Sequence, residues 1–240
     1  MKKKPSILVI RHEKCSSLGL LETALRKQAV PFKYLDTPQG EVLLEPVNQY
    51  SHIIVLGGSM SAYEDQEHAF LRYEFKLLED AIEQGISTLG ICLGSQILAT
   101  VLGAKVYRGE AGREAGWCDV QLLQSSATDP LLKEFPERFK VFQSHQDTFE
   151  IPSGCVHLAR SEKYAHQAFR YQNHVWAMQF HLEIDENVLG DCAAVIDQEL
   201  KDSNIQDTNL IQLLKDAKEH SPFVAPLANR FMHNFLELAR

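Results

Sequence analysis

Leu89-Gly90-Ile91-Cys92-Leu93-Gly94-Ser95-Gln96 sets one cysteine between two glycines, where a short apolar run, Ser87 to Ile91, gives way to a helical pattern from Ser95 to Leu102. This is the G-x-nucleophile-x-G arrangement of a sharp strand-to-helix elbow. The turn imposes an awkward backbone on Cys92, and side chains at positions 90 and 94 would collide with the neighbouring strand and helix. Sulfur at such an elbow is pushed into solvent at the carboxyl edge of a sheet, where open α/β folds bind ligands. A helix beginning there favours the thiolate, because its first amides point toward the sulfur. A buried cysteine at a plain tight turn is the other reading of the octapeptide.

Upstream, apolar runs alternate with helical patterns, as a mostly parallel sheet covered by helices requires. Strands are expected at Ser6 to Ile10, Phe32 to Leu35 and Ile53 to Leu56, with a helix over Leu18 to Gln28. From Glu67 to Gln84, Phe70, Leu71, Phe75, Leu77, Leu78, Ala81 and Ile82 recur at roughly helical spacing, and Gly85 is placed to end that helix. Beyond Gly103 the pattern changes to strands separated by turns, at Lys105 to Tyr107, Trp117 to Leu123, Lys140 to Phe142, Val156 to Arg160, Gln167 to Tyr171 and Val175 to Phe180. Several of these should be antiparallel. From Glu186 to Arg240 the pattern is helical, with a break expected at Ser221-Pro222. With no repeat or linker, residues 1–240 read as a single domain: a core of about 6–185 and a helical extension of about 186–240.

The bulk numbers fit an ordinary globular protein: 240 residues, 45% hydrophobic and 23% charged. The net charge of -8 is spread along the chain and supports solubility. Nucleic acid is not expected as a ligand, since the only basic run, Lys2 to Lys4, reads as a solvated end. Arg11, His12, Glu13 and Lys14 cut short the apolar run that a signal peptide would need, and no stretch is long enough to span a membrane, so a cytoplasmic protein is expected. Five widely spaced cysteines, Cys15, Cys92, Cys118, Cys155 and Cys192, form no CxxC pair, so neither a disulfide framework nor a zinc knuckle is indicated and most should be free thiols.

A thiolate nucleophile needs a proton shuttle. Ala177-Met178-Gln179-Phe180-His181-Leu182-Glu183 provides one where an apolar strand runs out. Glu183, two residues beyond His181, is a carboxylate able to hold the imidazole in the tautomer that accepts the thiol proton. His157, His166 and His174 fit no metal-ligand spacing, so no metal site and no cofactor are expected.

Together, Gly90-Ile91-Cys92-Leu93-Gly94-Ser95-Gln96 and Gln179-Phe180-His181-Leu182-Glu183 resemble the signatures of class I glutamine amidotransferases, with a triad in the order Cys92, His181, Glu183. The resemblance covers about residues 6 to 185 and is strongest to the glutaminase part of GMP synthases. It implies a flavodoxin-like α/β fold. It also implies that Val55-Leu56-Gly57-Gly58-Ser59-Met60-Ser61 is a loop facing the nucleophile, with the N–H groups of Gly58 and Leu93 forming an oxyanion hole. By the same resemblance Gln96 should touch bound glutamine, and Ser144, Gln146 and Asp147 should approach its α-amino and carboxylate groups.

Two departures stand out. Gln146 replaces a glycine of the family and is placed to reshape or partly block the amino-acid pocket, and Leu182 replaces a proline. The resemblance implies attack by Cys92 on the side-chain amide of L-glutamine, or on a related γ-glutamyl compound. Residues 184 to 240 leave no room for a synthetase domain, so a separate ammonia-accepting synthetase subunit is the expected partner. Gln146 keeps a γ-glutamyl peptidase, or a non-catalytic relative, open as alternatives. The helical tail could complete the domain, cover the site or form a homodimer contact.

Overall fold

A computed structural model describes residues 5–203 and 208–238; the Lys2 to Lys4 run lies outside these. The chain begins β1 (Ile7–Arg11), α1 (Gly19–Lys27), β2 (Phe32–Asp36), β3 (His52–Val55), α2 (Ala69–Glu83), β4 (Ser87–Ile91) and α3 (Leu93–Val101). There follow β5 (Val106–Arg108), β6 (Glu114–Leu122), β7 (Arg138–His145), β8 (Asp147–Phe149), β9 (Cys155–Ser161), β10 (Ala168–Tyr171) and β11 (Val175–Met178). Three helices close the chain: α4 (Glu186–Asp191), α5 (Ala193–Asp202) and α6 (Leu210–Glu237).

Nine strands form one sheet in the order β2-β1-β3-β4-β11-β10-β9-β6-β7. From β2 to β11 every pairing is parallel. From β11 to β7 every pairing is antiparallel. The change of pattern beyond Gly103 thus accompanies antiparallel pairing, except that β11 also joins the parallel set beside β4. β5 pairs with β8 in a separate two-stranded ribbon; β8, three residues long, is too short to show a period.

Strands β1 and β3 carry apolar side chains toward both faces, as a covered parallel sheet demands, while β4 is buried throughout. One face packs Ile7, Val9, Ile54 and Leu89 with α1 and α6; the other packs Leu8, Ile10, Ile53 and Val55 with α2 and α3.

The break expected at Ser221-Pro222 is absent: α6 runs unbroken through Pro222 and Pro226. Each proline removes a helical hydrogen bond, a cost of about 3 kcal/mol or more in an isolated helix. Packing compensates, because Leu213, Ala217, Val224, Ala228, Phe231 and Phe235 recur at helical spacing and are all buried. Phe231 and Phe235 join the same apolar cluster as Ile7 and Val9, so α6 helps complete the core of the sheet.

Most of the cysteines are free thiols, as expected, but one pair is not. Cys118, Cys155 and Cys92 are free, but Cys15 and Cys192 form a disulfide across 177 residues of sequence. Their spacing gave no sign of it, because the loop after β1 and the start of α5 meet only in the fold.

Candidate active site

Adjacent parallel strands β4 and β11 end side by side, with Ile91 paired to Met178. Cys92 follows β4 directly, and its N–H donates to Met178 O at 2.8 Å, locking the elbow to the end of β11. Cys92 has φ +52°, a left-handed conformation that costs a non-glycine residue energy and is held only by its surroundings. Both flanking glycines are required by space. A Cβ at Gly90 would strike the Gly94 carbonyl, and one at Gly94 would strike the Val55 carbonyl of β3. Contrary to expectation, the residue is not pushed into solvent: Cys92 is only 6% exposed and sits at the wall of a cleft of about 860 Å³.

Beyond β11, Phe180 and Leu182 turn into the apolar core. His181 and Glu183 alternate with them. Leu182 is fully buried and anchors the segment by packing. The His181 N–H donates to Phe142 O of β7 at 3.0 Å, and Glu183 O accepts from Leu20 N at the start of α1 at 2.9 Å. Between these anchors, His181 Nδ1 meets Glu183 Oε1 at 2.5 Å.

Burial alone would push the His181 imidazole down. The charge of Glu183 and the hydrogen-bonding interaction with Cys92 outweigh it and hold the pKa well above that of an ordinary histidine. Burial pushes the thiols of Cys118 and Cys155 up to about 11, which leaves little thiolate at either near neutral pH.

Gly58 and Leu93 face each other. A Cβ on Gly58 would lie 2.9 Å from the Leu93 side chain, and neither amide has a backbone acceptor among the described residues. Gln96, on the first turn of α3, is buried and donates from Nε2 to Gln179 Oε1 at 3.2 Å. Ser144, Gln146 and Asp147 all reach the cleft. Asp147 accepts from Ser61 Oγ at 2.6 Å, which ties the glycine-rich loop to β8. Gln146 is turned aside: its amide donates to Gly109 O at 3.2 Å and accepts from Arg108 at 3.0 Å. It forms part of the wall and leaves the cleft open. His145, in the same segment, is not free to act as a base, since its ring is held between Glu114 and Asp147 O.

Sequence reasoning missed Arg113 and Glu199. Arg113 Nη2 forms an ion pair with Glu199 and donates to Ser144 Oγ at 3.0 Å, while Ser144 Oγ donates to Glu199 at 2.8 Å. Glu199 belongs to α5, so the helical extension supplies one wall of the cleft. No motif marks either residue, and only the packing of α5 brings them together. Among the described residues, no group of three or more His, Cys, Asp or Glu is placed to hold a metal ion.

Comparison with known proteins agrees with this fold. Residues 17–192 match the family described as Glutamine amidotransferase class-I. Over 111 residues the chain is 35% identical to a glutamine-hydrolyzing GMP synthase subunit from Pyrococcus abyssi, an alignment covering 45% of this chain and 57% of that relative. The chain thus spans little more than half of that relative. The glutamine amidotransferase-like protein YfeJ of Salmonella typhimurium is 26% identical over 80% of this chain and 81% of its own. Among solved structures, a glutamine amidotransferase from Thermotoga maritima superposes with a TM-score of 0.90 at 38% identity, covering 98% of this chain and 99% of that one.

Proposed function

The chain belongs to the class I glutamine amidotransferase family, and from that membership we propose that it hydrolyses the side-chain amide of L-glutamine through a γ-glutamyl thioester on Cys92. The observation that carries the reading is the meeting of Cys92 with the His181–Glu183 pair at the ends of β4 and β11.

In this mechanism the Cys92 thiolate adds to the amide carbon of glutamine, and the carbonyl electrons move onto oxygen. The N–H groups of Gly58 and Leu93 receive that oxyanion. Collapse expels the amine, which takes a proton from the His181 imidazolium and leaves as ammonia. Water, losing a proton to His181, then attacks the thioester and releases glutamate and the thiolate. Glu183 acts through His181, fixing its tautomer and stabilising its positive form.

Glutamine enters this reading as a zwitterion. Arg113 and Glu199 offer its carboxylate and ammonium groups opposite charges on the cleft wall, with Ser144 and Asp147 alongside. An ammonia-accepting synthetase subunit remains the proposed partner, supported by the GMP synthase subunits among the relatives.

A second reading rests on the size of the cleft. About 860 Å³ lies in the range that accepts drug-sized ligands, and with Gln146 turned aside there is room for a γ-glutamyl peptide, cleaved by the same thioester chemistry. The deciding test is ammonia and glutamate release from L-glutamine, with γ-glutamyl dipeptides in parallel, for wild type and Cys92→Ala. Glutamine turnover lost in the variant supports the glutaminase. Dipeptide cleavage alone transfers the protein to the peptidases, and inactivity on both, with and without the relatives' synthetase subunit, overturns the catalytic reading.

A further inference from the structure

A buried charged cluster lies against the glycine-rich loop. His12, just after β1, is 5% exposed, and Glu74 of α2 is fully buried. His12 Nε2 lies 3.0 Å from Glu74 Oε2, and Glu74 also accepts from the Thr37 hydroxyl. His12 Nδ1 lies 3.1 Å from Gly57 O. A carbonyl can only accept, so Nδ1 carries a proton. The Glu74 carboxylate, already accepting from Thr37, accepts a second hydrogen bond from the N–H at Nε2, so the ring is an imidazolium held between two acceptors. Glu74 also outweighs the effect of burial and raises the His12 pKa.

The position of Gly57 gives the cluster its meaning. A Cβ on Gly57 would lie 3.3 Å from the His181 ring, 3.5 Å from Cys92 Cβ and 4.0 Å from Cys92 Sγ. A Cβ on Gly58 would lie 2.8 Å from His12 Cβ. The Gly57–Gly58 peptide is therefore packed between His12 and the catalytic cysteine and histidine. There are no cis peptide bonds among the described residues. In a planar trans peptide the carbonyl and the following N–H point in opposite directions. A peptide whose carbonyl is pinned by His12 must present its N–H away from His12.

We propose that His12, held by Glu74, is a positioning residue that fixes the Gly57–Gly58 peptide plane so that the Gly58 N–H is aimed at the oxyanion. A glycine pair is otherwise free to flip this plane at little cost. A hydrogen bond from a charged donor, itself locked by a buried carboxylate, removes that freedom before substrate arrives. The inference rests on the glutaminase reading above.

The test compares two reactions of Cys92. Hydrolysis of glutamine builds an oxyanion; alkylation by iodoacetamide is a direct displacement and builds none. His12→Leu removes the donor, and His12→Asn restores a donor near the Nδ1 position. In His12→Leu we expect kcat to fall about 10- to 100-fold, with KM and the alkylation rate within about twofold of wild type, and His12→Asn to recover part of the loss. If His12→Leu does not fold, as judged by circular dichroism, the same ratio of kcat to alkylation rate is read in His12→Asn and Glu74→Gln. A reduced ratio supports the proposal. A ratio equal to wild type, or alkylation falling in step with kcat, overturns it while leaving the glutaminase standing. A wild type that alkylates but turns over neither glutamine nor γ-glutamyl p-nitroanilide overturns both.

Discussion

Ser144 Oγ lies 2.8 Å from Glu199 Oε2, so a strand of the sheet and a helix of the C-terminal extension are joined across the wall of the cleft. Arg113 completes the group by pairing with the same carboxylate. The extension is thereby part of the cleft wall as well as part of the core. Glu199→Ala is expected to raise KM for glutamine about 10-fold or more, the scale of a lost hydrogen bond to a charged group, while kcat changes little. Steady-state kinetics check this; a kcat loss at unchanged KM would place Glu199 in the chemistry instead.

The contact between His181 and Glu183 sets a pH dependence. The raised pKa of His181 means that its proton, needed by the departing ammonia, is lost only at a pH well above that of an ordinary histidine. Activity should therefore persist into alkaline solution, with the high-pH limb set by loss of the His181 proton. Glu183→Gln keeps an acceptor for Nδ1 but removes the charge that favours the imidazolium. The high-pH limb of kcat/KM should move to lower pH, and kcat should fall about 100-fold or more. A limb unmoved in the variant would mean that Glu183 does not govern the base.

The elbow has no room for a methyl group. Gly94→Ala would drive a Cβ into the Val55 carbonyl of β3, a backbone atom that cannot step aside. A loss of about 1–3 kcal/mol or more is expected, read as a lower melting temperature and as lost turnover. Gly40→Ala is the contrasting case: nothing lies within 4 Å of its Cβ position, so only the backbone cost of φ +82° applies.

The bridge between Cys15 and Cys192 closes 177 residues of sequence. In the chain-entropy view, such a long loop places its contribution at up to about 5 kcal/mol. Thiol titration in denaturant should find three reactive thiols without reductant and five with it, and reductant or Cys15→Ser should lower the melting temperature. Five thiols without reductant would show the bridge open. In the cytoplasmic setting expected from the sequence, reducing conditions favour that open form.

The elbow and the His181–Glu183 segment are legible in the sequence because each is local. Two glycines around Cys92, and a histidine and carboxylate two residues apart at the end of an apolar strand, carry their geometry within a few residues. The parallel half of the sheet is legible for a similar reason, since buried strands such as Ile53 to Leu56 are continuous apolar runs. The residues that only the tertiary structure could assign act through partners distant in the chain. His12 and Glu74 are 62 residues apart, and Arg113 and Glu199 are 86 apart. Pro222 in α6 misleads a sequence reading because local propensity counts the lost hydrogen bond and not the burial of Val224, Phe231 and Phe235 against the sheet. The sequence alone determined which groups form the candidate triad, through local backbone geometry; the tertiary structure decided what surrounds them, because that depends on burial and charge pairing between segments that meet only in the folded chain.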